Sequence, residues 1–214
     1  MKLRRIGVIG DVHAEAKHLA TALRFLQDSA VEQIICTGDI LDGAGGEDEC
    51  CRLLEQHEVI TVRGNHDRWL FEGARRDHPG VVQESDLEDS SLVFLQSLPI
   101  TYPMETVAGR LLLCHGMGEN DMQGVTANDY GYGLQVKYEL HDLVRAEEFR
   151  FVVAGHTHQR MVRRFGHLTV INGATLHRSF RPCFSIVDFD SGYVEFRDLE
   201  NNAVVPTGQS LKFE

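Results

Sequence analysis

The sequence predicts an α/β fold of mixed β-sheets with helices on the outside, and three observations predict it. The first third alternates strand-like and helix-like segments, a βαβαβ order that implies parallel strands with helical crossovers. The last third is a succession of short strand-like runs separated by tight turns. The 214 residues are 43% apolar and 25% charged, ordinary globular values, so one domain over 1–214 can bury its own core.

Residues 3–9 read as a strand that stops at Gly10. Leu19, Leu23 and Leu26 then recur at i, i+4 and i+7, one face of a helix over about 15–28. Gln33 to Thr37 is a second apolar strand, Glu49 to Gln56 a second helix, and Val59 to Arg63 a third strand. Glu72 to Ser90 is polar and loop-like, broken by Pro79-Gly80. A short helix around Ser91 to Leu98 ends at Pro99, and strands near 100–107 and 110–114 follow across a Gly109 turn. Met117 to Gln135 holds four glycines and no clear period, which makes it a long loop. Val136, Leu140, Leu143 and Val144 restore helical spacing. Strands at 150–154, 161–165, 168–172, 183–189 and 193–198 complete the series, with turns at Phe165-Gly166 and Asp190-Ser191-Gly192.

Composition excludes several classes. The longest apolar runs, such as Ile6 to Ile9 and Leu111 to Cys114, fall far short of the ~20 residues a membrane helix needs. The basic start at Lys2, Arg4 and Arg5 is followed only by Ile6-Gly7-Val8-Ile9, less than the ~7–15 apolar residues of a signal peptide. A first strand explains it better, and a cytoplasmic location is expected. Five cysteines are an odd number without zinc-knuckle spacing, so they read as buried free thiols in a reducing compartment. A net charge of −11 argues against a broad nucleic-acid face. It does not exclude anionic substrates, because bound metal ions can dominate a local field.

Most metal-competent residues fall immediately after a predicted strand. Asp11-Val12-His13, Gly38-Asp39, Gly64-Asn65-His66-Asp67, His115-Gly116 and Gly155-His156-Thr157-His158 are five such loops, each with a glycine beside or within it. In open α/β sheets, ligands bind beyond the carboxyl ends of the strands, so these loops point at one place. In extended backbone, residues i and i+2 project to one side, so Asp11 with His13, and His156 with His158, can each reach a common centre. Imidazole and carboxylate without thiolate suit Mn, Fe, Zn, Ni or Co.

The ordered series Asp11-x-His13, Gly38-Asp39-x-x-Asp42, Gly64-Asn65-His66-Asp67, His115-Gly116 and Gly155-His156-x-His158 resembles the calcineurin-like metallophosphoesterase superfamily. The resemblance spans residues 11–158 and implies a four-layer αββα sandwich, two stacked mixed β-sheets flanked by helices. It implies that Asp11, His13, Asp39 and His158 hold a first metal. Asp39 bridges to a second, completed by Asn65, His115 and His156. His66 is then the catalytic histidine, Asp67 is expected to orient it, and Asp42 stands behind the ligands. Two divalent ions are the implied cofactors, manganese foremost, about 3.5–4 Å apart so that they clamp attacking and leaving oxygens and acidify a bridging water. Two ions less the carboxylates of Asp11 and Asp39 and one hydroxide leave roughly one positive charge facing the substrate.

The function so implied is hydrolysis of a small phosphate ester, with a phosphodiesterase as the first choice. A phosphomonoesterase is the alternative, but such relatives resemble Gly-Asp-x-x-Asp-Arg-Gly, and here Gly43 and Ala44 follow Asp42, so that arginine is missing. Arg75 or Arg76 are candidates to replace it. A non-catalytic scaffold on the same fold lacks the catalytic histidine, which is present here, and a nuclease fits poorly with the acidic balance. His177, after Asn172-Gly173-Ala174-Thr175, is a candidate to line the cleft, and Tyr130 and Tyr132 are candidates to stack on a base.

Overall fold

The computed structural model describes residues 2–43, 45–73, 80–205 and 208–213. Its elements run β1 (Arg5–Ile9), α1 (Ala16–Gln27), β2 (Gln33–Cys36), α2 (Glu47–Gln56), β3 (Ile60–Thr61), α3 (Asn65–Glu72) and α4 (Asp89–Ser97). They continue β4 (Thr101–Thr106), β5 (Gly109–Cys114), α5 (Tyr132–Gln135), α6 (Tyr138–Ala146), β6 (Phe151–Ala154), β7 (Arg160–Phe165) and β8 (Leu168–Gly173). The last are β9 (Cys183–Asp188), β10 (Tyr193–Glu200), β11 (Ala203–Val204) and β12 (Gln209–Lys212).

Both sheets are mixed. In the first, ordered β11-β10-β9-β1-β2-β3 with β12 on β10, the strands β1, β2 and β3 are parallel and β9 runs antiparallel to β1. In the second, ordered β4-β5-β6-β8-β7, the strands β5, β6 and β8 are parallel while β4 and β7 are antiparallel edges.

Alternation along each strand builds the layers. Ile6 and Val8 of β1 meet Leu111 and Leu113 of β5, Phe151 and Val153 of β6 and Ile171 of β8 in one buried cluster between the sheets. The intervening residues face outward: Ile34 and Cys36 pack with Leu19, Leu23 and Leu26 of α1 and with α2 and α4. On the other side Leu112, Cys114, Val152 and Val170 pack on Leu140 of α6. The order of layers is therefore helix, sheet, sheet, helix. Each fully buried leucine of α1 contributes on the order of 1.5–3 kcal/mol, which a short helix needs because propensity alone does not hold it. All five cysteines are free and buried, and burial pushes the Cys114 thiol up to about 12.

The structure departs from the expected elements in places. The third strand is only Ile60–Thr61, and Asn65 to Glu72, expected to begin as a loop, is a helix. Its first turn is capped by Asp67, whose Oδ2 accepts the Gly64 N–H at 2.9 Å. Two polar edge strands, β11 and β12, were not signalled by any apolar alternation. Among the described residues no helix is long and apolar enough to cross a membrane.

Candidate metal centre

The parallel strands of both sheets end at one edge. Asp11, just past β1, pairs with Thr175, just past β8, and the Gly155 N–H donates to the His115 carbonyl at 2.8 Å. The five post-strand loops meet there. The glycines permit close approach: a Cβ on Gly155 would sit 2.0 Å from Oδ1 of Asp11, and one on Gly64 2.2 Å from Oδ1 of Asp39.

Asp11, His13, Asp39 and His158 each offer one ligand atom, all within 4.8 Å of one another. Nε2 of His13 lies 3.0 Å from Nε2 of His158, which lies 3.1 Å from Oδ2 of Asp11. That Oδ2 is buried without a hydrogen-bond partner. Nδ1 of His13 faces the carbonyls of Leu41 at 3.1 Å and Asp42 at 3.0 Å. A carbonyl only accepts, so Nδ1 carries the proton and the lone pair is at Nε2.

A second set adjoins the first. Oδ1 of Asn65 lies 2.9 Å from Nε2 of His115 and 3.0 Å from Nδ1 of His156. Nε2 of His115 is 3.3 Å from Oδ2 of Asp39, while its Nδ1 donates to the Thr37 carbonyl at 2.8 Å. Oδ1 of Asp39 accepts the His66 backbone N–H at 2.9 Å, which leaves Oδ2 as the atom common to both sets. Nitrogen and oxygen ligand atoms gathered inside a protein, with an orphaned carboxylate oxygen among them, are what a cation needs. The donor chemistry fits divalent metal ions.

The electrostatics divide the histidines. Burial lowers the pKa of His13, and burial together with the neighbouring charge of His115 lowers that of His156, so both are held as neutral ligands. Burial also opposes charge on His115, but the carboxylates of Asp39 and Asp11 overrule it and raise it to about 10. Asp39 is held well below the usual carboxylate range: burial works against its charge, and His115 outweighs it.

The expected extended spacing of the ligands is not what brings them together. His13, Asp39, His156 and His158 all have φ between 46° and 64°, in the left-handed region that such residues seldom adopt. His156 consequently faces Asn65 while His158 faces Asp11 and His13. The two histidines serve the two sets separately.

His66 turns to the cleft, its side chain 18% exposed, much as that of His158 is at 17%. Asp67, expected to orient His66, has both carboxylate oxygens engaged by backbone N–H groups. Oδ1 of Asp67 accepts the N–H groups of Ile40 at 2.8 Å and Leu41 at 3.3 Å, and its Oδ2 that of Gly64. Helical geometry turns the third residue of α3 back onto the helix start and away from the His66 ring. Asp42 meets that ring instead, with Oδ2 at 2.7 Å from Nδ1. Burial lowers the pKa of His66, and the bond to Asp42 with the nearby carboxylates raises it further, to a net increase.

Of the metal-ligand candidates, His13 and His158 line a cleft of about 680 Å³, together with His66, His177, Arg178 and Phe180 among others. His177 thus lines it as expected. Arg178 and Phe180 escaped the sequence reading, although β8 is parallel to β6 and its following loop is a sixth one at the same edge. Tyr130 and Tyr132 are exposed and lie outside the lining of this cleft; Tyr130 stacks with Arg163 at 4.7 Å. Arg75 and Arg76 lie outside the described residues.

Comparison with known proteins gives the following. Residues 4–192 match the model of the calcineurin-like phosphoesterase superfamily domain. An uncharacterized protein of Methanocaldococcus jannaschii is 25% identical over 117 residues, 51% of this chain and 48% of that protein. The match therefore spans about half the length of that relative. A metallophosphoesterase from Sphaerobacter thermophilus superposes with a TM-score of 0.70 at 21% identity, over 93% of this chain and 89% of that one. A hypothetical protein from Pyrococcus horikoshii gives a TM-score of 0.72 at 16% identity, over 92% and 88%. At these identities the two structures share the fold.

Proposed function

The chain belongs to the calcineurin-like phosphoesterase superfamily, and we propose that it hydrolyses small phosphate esters, diesters before monoesters, with two divalent transition-metal ions. One observation carries this reading: seven donor residues form two adjoining sets that share Oδ2 of Asp39. In the proposal Asp11, His13, Asp39 and His158 hold one ion, and Asp39, Asn65, His115 and His156 hold the other. Bound there, divalent ions supply Lewis acidity to the phosphate and make water a nucleophile near neutral pH.

The chain's own residues supply the rest. Water adds to phosphorus, the ester P–O bond breaks, and the leaving oxygen takes a proton from the ring of His66. With Nδ1 held by Asp42, the proton to be given is the one on Nε2. The raised pKa of His66 favours the protonated ring that this role requires. A diester leaves an alkoxide or aryloxide, and its single charge needs less neutralisation than a monoester dianion. Gly43 supports the diester: a Cβ there would lie 2.0 Å from the His13 carbonyl oxygen, so no arginine fits after Asp42. His66 and the complete donor set argue against a scaffold.

The test is metal-reconstituted apoprotein assayed in parallel on bis-aryl phosphate, aryl phosphate and a nucleotide panel, with kcat/KM highest for the diester. A reversed ratio with every activating metal would replace the diesterase reading by the monoesterase one. No turnover with any metal would remove both.

A further inference from the structure

Gly43 leaves no room for an arginine directly after Asp42, and the loop after β8 brings one to the same cleft. Among the described residues lining the cleft, Arg178 is the one arginine or lysine. It shares this lining with His13, His66 and His158, and its neighbour His177 packs edge-on against the His13 ring at 5.2 Å between centroids.

Arg178 is held in an unusual way for a rim residue. Its Nε donates to Oε1 of Glu15 at 2.7 Å and its Nη2 to Oε2 at 2.8 Å, while its backbone N–H also donates to Oε1 at 2.9 Å. The Glu15 side chain is 3% exposed and that of Arg178 is 64% exposed. The anchor is therefore inside and the guanidinium outside. A side-on fork of this kind uses two of the five guanidinium N–H donors. The three on the Nη1 side remain for a second planar or tetrahedral oxyanion.

The charge balance matters as much as the donors. A buried carboxylate bonded twice to the arginine makes the pair formally neutral. It offers directed N–H groups with little net positive charge, a match to one negative charge better than to two. We infer that the Arg178–Glu15 pair contacts a non-bridging oxygen of the substrate phosphate and sets the preference for singly charged diesters over doubly charged monoesters. This rests on the phosphoesterase reading and names the residues that give it its ester class.

The experiment compares wild type, Arg178→Gln, Arg178→Lys and Glu15→Gln, each reconstituted with Mn²⁺ and checked for metal content and melting temperature. Calorimetry measures inorganic phosphate binding, and steady-state kinetics follow bis-aryl and aryl phosphate. Loss of a charge-assisted bond in Arg178→Gln should weaken phosphate binding and raise KM for both esters about tenfold, with metal content unchanged. Arg178→Lys, which keeps charge but loses the fork, should recover only part of this. Glu15→Gln leaves the arginine's charge unbalanced, so phosphate should bind more tightly and the monoester-to-diester ratio of kcat/KM should rise several-fold. Unchanged phosphate affinity and KM in Arg178→Gln, with a lowered melting temperature, would make the pair a structural clamp and overturn the inference. An unmoved ester ratio in Glu15→Gln, in a variant that keeps its metals and fold, would overturn the charge-balance argument. Wild-type protein that takes up metal but neither binds phosphate nor hydrolyses any ester would retire the phosphoesterase reading itself, and this inference with it.

Discussion

Oδ2 of Asp42 lies 2.7 Å from Nδ1 of His66, a contact between residues 24 apart in the chain. The carboxylate is buried and the imidazole lines the cleft. Oδ1 of the same Asp42 accepts the Val82 N–H at 3.0 Å, so the carboxylate is fixed before it meets the ring. Such an arrangement selects the tautomer of the imidazole and favours its charged form.

Asp42→Asn should therefore keep the metals but lose the protonated, oriented His66. Positioned acid catalysis is worth about 10²–10⁴ in rate, and the lower end of that loss is expected in kcat on alkyl esters. Alkoxide leaving groups need a proton, whereas p-nitrophenolate hardly does, so the nitrophenyl ester should lose much less. His66→Ala should show the same pattern more strongly. Equal loss on both ester types, with metals retained, would mean that His66 stabilises phosphate charge instead of donating a proton.

Asp67 should behave in the opposite manner. Its carboxylate accepts N–H groups from Ile40, Leu41 and Gly64, and so ties the loop carrying Asp39 to the loop carrying Asn65. Burial and the charge of Asp39 raise its pKa to about 6, so the fold holds it at some cost. Asp67→Ala leaves buried donors unsatisfied at about 1–3 kcal/mol each. The melting temperature and metal content should fall together. A variant that keeps both yet loses activity would restore Asp67 to a catalytic role.

The five loops that meet at the sheet edge were legible because short-range chemistry marks them: a β-strand pattern, a glycine, then a carboxylate, amide or imidazole. The layers were legible too, since apolar alternation in β1, β5 and β6 fixes which residues lie between the sheets. What was not legible depends on contacts made across the chain. Nothing near His66 in sequence signals Asp42, while adjacency suggested Asp67, which the first turn of α3 turns away. That helix itself is short and carries no apolar period over Asn65-His66-Asp67-Arg68. Arg178 was missed because its partner, Glu15, is 163 residues away. The left-handed backbone at His13, Asp39, His156 and His158 carries no mark in the sequence, since none of the four is a glycine.

Asp39 should control both metal sites. Its Oδ2 is the atom that faces His13 at 3.9 Å and His115 at 3.3 Å, one from each donor set. Asp39→Asn should weaken both sites, whereas Asn65→Ala should chiefly empty the one completed by His115 and His156. Native mass spectrometry after reconstitution with Mn²⁺ counts the ions directly. Wild-type protein holding no more than one tight ion in excess Mn²⁺ would sink the two-metal proposal.

Metal uptake should also release a proton from His115. In the metal-free protein burial disfavours the imidazolium, yet Asp39 and Asp11 raise its pKa to about 10 against an ordinary value of 6.5. A raised folded-state pKa contributes stability that is fully present below the unfolded value. For the metal-free protein that contribution is lost as pH climbs from 6.5 toward 10. A metal ion must take the Nε2 lone pair, so it displaces that proton and its apparent affinity rises with pH over the same window. Adding Mn²⁺ at about pH 7.5 in weak buffer should release about one proton from His115, and His115→Asn should release correspondingly fewer while binding metal less tightly. Thermal melts should show the metal-free protein losing stability through this window and the loaded protein losing less. Metal binding that releases no proton between pH 7 and 9 would mean that His115 is already neutral in the metal-free protein, burial outweighing Asp39 and Asp11.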